Sequence, residues 1–152
     1  MSVIRIKSEL LKECSELVEN RYQKIRTTID SITEAMQEES KSSAGDKHET
    51  GRAMLQIDRE NAGNQLREIE AVKFILRKID ISTVSDYVRL GSLVNTNQGY
   101  YFISISTGAI IHEKTTYYCV ALQSPIGIQL AGKKEGDTFH FNNNEINIRS
   151  IE

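Results

Sequence analysis

Two carboxylates, Asp46 and Glu49, stand three residues apart in the stretch KSSAGDKHETGRAM. Three-residue spacing brings side chains onto one face of a helix, and two kinds of chemistry fit it. At a helix start the pair is a capping box: the first carboxylate accepts from a backbone N–H and the second reaches back. Both then lie where the helix dipole favours negative charge. The same groups can offer hard oxygen ligands to one Mg2+. Alone they make a poor site, because Mg2+ keeps several waters and wants further anionic ligands. Supplied to a partner that already holds Mg2+ and phosphates, they can complete a two-metal centre and position an attacking water. The readings are compatible, since Asp46 can cap in the free protein and be recruited on binding. His48 lies between the acids with no second His four residues on, and reads as a solvated histidine rather than a ligand.

The elements that must position these acids are helical. Leu11, Val18, Ile25 and Ile32 follow one another at intervals of seven, with Tyr22, Ile29 and Met36 at the alternating positions. This seam for one partner helix predicts a helix over 8–40, free of Gly and Pro, with Ser8 as its N-cap. A second helix is predicted over 47–79, with Leu55, Ala62, Leu66, Ile69, Leu76 and Ile79 on one face and Gly51 and Gly63 weakening it locally. Only a few turn residues separate the two, so they form an antiparallel coiled-coil hairpin. Helices of this length make a rod of roughly 50 Å, with Asp46 and Glu49 at its tip. The narrow apolar stripes favour such a rod over a compact bundle.

After Asp80 the pattern changes to β-branched and aromatic runs: VRLGSLVNT, GYYFISIS, TTYYCVAL, TFHF and INIRSI. TNQG between two of them is a hairpin turn. SPIGIQLAG predicts one short helix, with Ser124 capping, Pro125 in the first helical position and Gly132 ending it. EGDT then turns the chain into another strand. The expected architecture is α+β, a helical hairpin over 1–80 followed by a small antiparallel β domain over 81–152.

Composition bounds the partners. Hydrophobic residues make up 39% of the 152 residues and charged ones 26%, enough to fold around a core. The net charge is -2, with 14 basic and 15 acidic residues through Asp80 and 5 and 6 after it. A bulk electrostatic grip on nucleic acid, or direct sequence-specific DNA binding, is not expected, and nucleic acid would be met through a protein partner. Cys14 and Cys119 lack a CxxC spacing and read as ordinary reduced thiols, one on a helix seam and one in a strand. No apolar run approaches a membrane span, and the N-terminus turns charged too soon for a signal peptide. A soluble cytoplasmic protein is expected.

With these residues in view, the chain resembles the bacterial Gre transcript cleavage factors. GDKHE resembles the Gly-Asp-x-x-Glu pattern of their coiled-coil tip, and SPIGIQLAGKKEGDTFHF is similar to their Ser-Pro-Ile-Gly…Leu-x-Gly-Lys-Lys-x-Gly-Asp segment. The second motif is the more specific, and the order of hairpin and β domain also agrees. The resemblance implies an FKBP-like C-terminal domain, without isomerase activity, docked on RNA polymerase at the rim of its secondary channel. It implies a coiled coil passing down that channel. Asp46 and Glu49 would then act as catalytic acids in the polymerase active centre, sharing its second Mg2+ and a water. The polymerase, and no enzyme in this chain, would hydrolyse the backtracked RNA. Ser124, Pro125 and Ile126 match the polymerase-docking segment. The free protein would carry no cofactor.

The tip departs from the family's E-N-A-E-Y run, having Glu49, Thr50, Gly51, Arg52 and Ala53, and Ser42 and Ser43 stand where the family often has a basic residue. An alternative is therefore a secondary-channel regulator or inhibitor that does not stimulate cleavage, with Arg52 competing with the metal for the acids. Two further classes are a prolyl isomerase, whose aromatic pocket is hard to furnish with no Trp and four Phe, and a coiled-coil adaptor whose acids only cap. His112 and His140 lie in β segments without ligand spacing, and Tyr100-Tyr101 and Tyr117-Tyr118 each put one ring inward and one outward. Lys133 and Lys134 read either as a solvated turn or as a contact for an acidic partner; they lack the rest of a phosphate loop.

Overall fold

Heptad spacing and the absence of helix breakers carry the first helix further than its seam requires. The structure, a computed structural model, describes residues 2–41 and 46–152, and the side chains of residues 41 and 46–49 lie outside that description. Helix α1 runs Val3–Lys41 and α2 runs Asp46–Lys78, continuous through Gly51 and Gly63. Ser8 is therefore interior to α1 and caps nothing. The alternating pattern of Val3, Ile4, Ile6, Lys7 and Leu10 already supports helix upstream of it. No described helix is long and apolar enough to cross a membrane.

The chain divides into two compact units, Val18–Lys73 on one hand and Met1–Leu17 with Phe74–Glu152 on the other. In the first, Ile25 and Ile29 of α1 bury against Ala62 of α2, with Ile32, Leu66 and Ile69 packed around them. The small Ala62 lets two isoleucines close over it. Lys73 fixes the antiparallel sense: its Nζ lies 3.2 Å from Glu19 Oε2 and 3.8 Å from the centre of the Tyr22 ring. Hydrogen bonding from Gln23, then from Lys73, holds the Glu19 carboxyl below its ordinary range. Such an exposed pair sets register more than stability.

The second unit is a sheet of six strands: β1 (Leu93–Thr96), β2 (Gly99–Ser104), β3 (Gly108–His112), β4 (Thr115–Ala121), β5 (Thr138–Phe141) and β6 (Asn144–Ile151). Their order is β3-β4-β2-β1-β6-β5. The α+β architecture is the expected one, and the sheet is mixed rather than wholly antiparallel because β2 and β4 run parallel. TNQG makes the β1–β2 hairpin, with Thr96 opposite Gly99. Strand β3 escapes the sequence reading: GAIIH is short, and its turn into β4 uses Glu113 and Lys114, both at positive φ (48° and 68°), where Gly or Asn would have announced it. Parallel register sets Tyr100 beside Tyr117 and Tyr101 beside Tyr118, with ring centres 5.2 and 5.6 Å apart, one pair on each face.

One sheet face carries the core of Val94, Ile103, Phe139, Ile146 and Ile148, closed by Val88 and by Ile126 and Leu130 of helix α3 (Pro125–Leu130). The other face receives the first turns of α1, whose Cys14 Sγ lies 3.9 Å from Ser104 Oγ. There the buried residues are Lys7, Leu10 and Cys14, so Leu10 rather than Leu11 lies in the seam. A helix facing a sheet offers a different stripe from one facing a helix.

Gly127 is where α3 meets β4. A Cβ there would stand 1.9 Å from the Ala121 carbonyl oxygen, which is backbone and cannot swing aside. Gly127→Ala is expected to destabilise this unit by about 3 kcal/mol, read by urea unfolding.

Lys7 is only 2% exposed, and burial depresses its pKa, opposed by Glu152 and Asp80 and reinforced by Arg89. A base depressed in the fold is protonated less readily there than in the unfolded chain, so stability rises with pH between its folded value and 10.5. Lys7→Met, which keeps the unbranched stem, is expected to raise stability at neutral pH by about 1 kcal/mol. It should also flatten the rise toward alkaline pH, measured by urea unfolding across that range.

Candidate functional site

Helix α1 ends at Lys41 and α2 begins at Asp46, so the residues DKHE of the GDKHE motif open the second helix of the hairpin, and Gly45 lies outside the described residues. The side chains of Asp46, His48 and Glu49 are outside the described residues, and so is the choice between capping and metal ligation that rests on them. Their neighbours are described. Arg52 Nη2 donates to the Glu39 carbonyl oxygen at 3.0 Å, tying the first turns of α2 to the end of α1. Glu39 lies across Gly51: its Oε1 is 3.3 Å from where a Cβ would be. The departures at 51 and 52 thus have a local structural use. The glycine makes room for the α1 carboxylate, and the arginine donates to a carbonyl in the last turn of α1. Ser40 Oγ bonds back to the Met36 carbonyl at 3.0 Å.

Further along α2, Met54 and Ile57 are exposed, leaving an apolar pair outside the seam. Arg59 folds over Gly63, with Nη1 3.1 Å from the position of a Cβ, and Arg67 reaches Asn64 Oδ1. Open grooves lie on the hairpin, two of them lined by charged side chains. One of about 390 Å3 is lined by Arg21, Lys24, Thr28, Gln65 and Glu68 with the seam isoleucines Ile25 and Ile69. Another of about 400 Å3 is lined by Arg59, Glu60, Gly63, Asn64 and Arg67. Both mix charges of opposite sign. Among the described residues no group of three or more His, Cys, Asp or Glu is placed to hold a metal ion.

The second sequence-predicted segment is built as a cap. Ser124 Oγ accepts from the Gly127 N–H at 3.1 Å and donates to the Ala121 carbonyl at 2.6 Å. Pro125 takes the first helical position, where its missing N–H costs nothing, and Gly132 follows the helix at φ 78°. The three residues matched to a docking segment separate here. Pro125 is exposed, Ser124 is half-buried with its hydroxyl engaged on both sides, and Ile126 is buried in the core. Ile128, one turn from Pro125, is 59% exposed and was not singled out by motif matching. The i, i+3 spacing of Pro125 and Ile128 against buried Ile126 and Leu130 is the signal that would have found it.

Elsewhere, His140 is exposed on β5, and Lys134 pairs with Tyr87 in an isolated bridge while its N–H bonds to Asp137. Lys133 Nζ lies 5.5 Å from the Phe139 ring centre.

No family model matches this chain, and no curated protein matches it. Among solved structures it is similar to the transcription factor Gfh1, at 17% identity over 90% of this chain and 91% of that one, with a TM-score of 0.35.

Arg52→Ala is expected to loosen the last turn of α1 by about 1 kcal/mol. Amide exchange should speed up there and stay unchanged in the sheet.

Proposed function

We propose that this chain is a transcription elongation factor of the Gre type, acting on RNA polymerase from the secondary channel. One observation carries the reading: an antiparallel helical hairpin whose second helix opens on DKHE precedes a sheet domain whose SPIG segment forms a capped helix. The hairpin delivers Asp46 and Glu49 to the polymerase active centre, and the sheet domain docks outside it, with Pro125 and its neighbours at the contact. Two carboxylates one helical turn apart suit Mg2+, which takes hard oxygen ligands and tolerates a site completed by another molecule. When bound, that Mg2+ supplies charge neutralisation and a water of lowered pKa. This chain's part is to hold the two acids at a fixed spacing on a stiff support. The chain alone is no enzyme; the polymerase hydrolyses its own backtracked transcript. Such work is cytoplasmic in bacteria.

A second reading, regulation from the channel without cleavage, is favoured by the run Thr50-Gly51-Arg52-Ala53 in place of the family's tip residues. Engagement of Arg52 with the Glu39 carbonyl weighs against that arginine acting as a competitor for the metal.

Transcript cleavage in a backtracked polymerase complex with Mg2+ separates the two. Wild type is expected to accelerate 3′ cleavage, and Asp46→Asn with Glu49→Gln to lose on the order of 100-fold while still binding polymerase. Binding by both with cleavage by neither selects the regulator. Absence of polymerase binding by either rejects both readings and leaves the acids as a cap.

A further inference from the structure

Two thiols with no motif in common meet in the sheet unit. Cys14 comes from α1 and Cys119 from β4, both unpaired by a disulfide and both buried, at 0% and 1% exposure. The register explains the meeting. Cys119 stands opposite Phe102 in the parallel β2–β4 pairing, so it faces the same side as Ser104, two residues along β2. Cys14 packs on that side, with its Sγ 3.9 Å from Ser104 Oγ. Neither thiol serves the capped helix, and both face the same side of the sheet.

We propose that Cys14 and Cys119 form a thiol–disulfide switch that fastens the first turns of α1 to strand β4, with a peroxide as oxidant. The Cys14 thiolate attacks one oxygen of hydrogen peroxide, the O–O bond breaks, and Cys14 becomes a sulfenic acid; the hydroxide that leaves takes up the proton Cys14 released and departs as water. The Cys119 sulfur, giving up its proton, then attacks Cys14 Sγ. The S–S bond forms and the sulfenic oxygen departs as a second water. Two thiols are oxidised and one peroxide is reduced.

The roles follow from the surroundings. Hydrogen bonding from the Cys119 thiol, the largest influence, outweighs burial, and Ser104 and Thr107 add to it, bringing Cys14 from 9.0 to about 7. The Cys119 thiol is pushed up, first by Cys14 and then by burial, and stays protonated. Cys14 is thus the sulfur that meets the oxidant and Cys119 the one that resolves it. The closed loop spans roughly 100 residues, the range in which a cross-link constrains the unfolded chain most.

The test treats the full-length folded chain with hydrogen peroxide, blocks remaining thiols, and maps peptides without reduction. The expected result is a cross-link between the peptides holding Cys14 and Cys119, reversed by dithiothreitol, with Tm raised by at least about 5 °C. Cys14→Ser and Cys119→Ser should each abolish both effects, and Cys→Ala replaces either serine variant whose circular dichroism is not native. The proposal is overturned by a cross-link that forms only in urea, by disulfides between molecules alone, by sulfinic acid at either position without the cross-link, or by an unchanged Tm in the cross-linked protein.

Discussion

The parallel alignment of β2 with β4 is the constraint on which the sheet unit depends. Parallel neighbours cannot be joined by a tight turn, so the connection must travel, and here it travels through β3, laid antiparallel along the outer side of β4. The alignment stacks the tyrosines two by two, one pair on each face. It turns Phe102, Ser104 and Cys119 toward α1. It also ends β4 at Ala121, whose carbonyl takes bonds from both the N–H and the hydroxyl of Ser124. The position of α3 follows from that carbonyl, and Gly127 is the residue that lets the helix come so close.

Helix α1 shows what a sequence pattern can and cannot declare. The intervals from Val18 through Met36 were legible because one partner helix reads one stripe, and Ile25, Ile29 and Ala62 pack as that stripe requires. The stretch before Val18 was misread at Ser8 and Leu11, since its partner is a sheet from the far end of the chain and the periodicity of one segment carries no trace of it. The same limit hid the meeting of the two cysteines. By contrast, the Ser124 cap, Pro125 and the β1–β2 turn were legible because each is satisfied within a few residues. Strand β3 was not, because its turn residues are Glu and Lys in a conformation those types seldom adopt.

The candidate site divides in the same way. Asp46 and Glu49 are a reading of residue type and spacing, made at a turn that the hairpin defines. Their surroundings needed coordinates: Gly51 and Arg52 look like losses when set against a motif, and in place they join the two helices near their connection. Of the SPIG segment, the conspicuous residues are mostly structural. The hydroxyl of Ser124 and the side chain of Ile126 are occupied in building α3, which leaves Pro125 and Ile128 as the surface it offers.

The narrow seam of the hairpin has a consequence for descent. Its packing repeats every seven residues, and no seam residue depends on how many repeats lie beyond it. Matched gain or loss of one heptad in each helix would move the turn by about 10 Å and return it facing the same way. Length is therefore a variable that lineages can change in discrete steps while the fold of the sheet is inherited intact. Two relatives could differ in the length of the hairpin before a single residue of the sheet had changed.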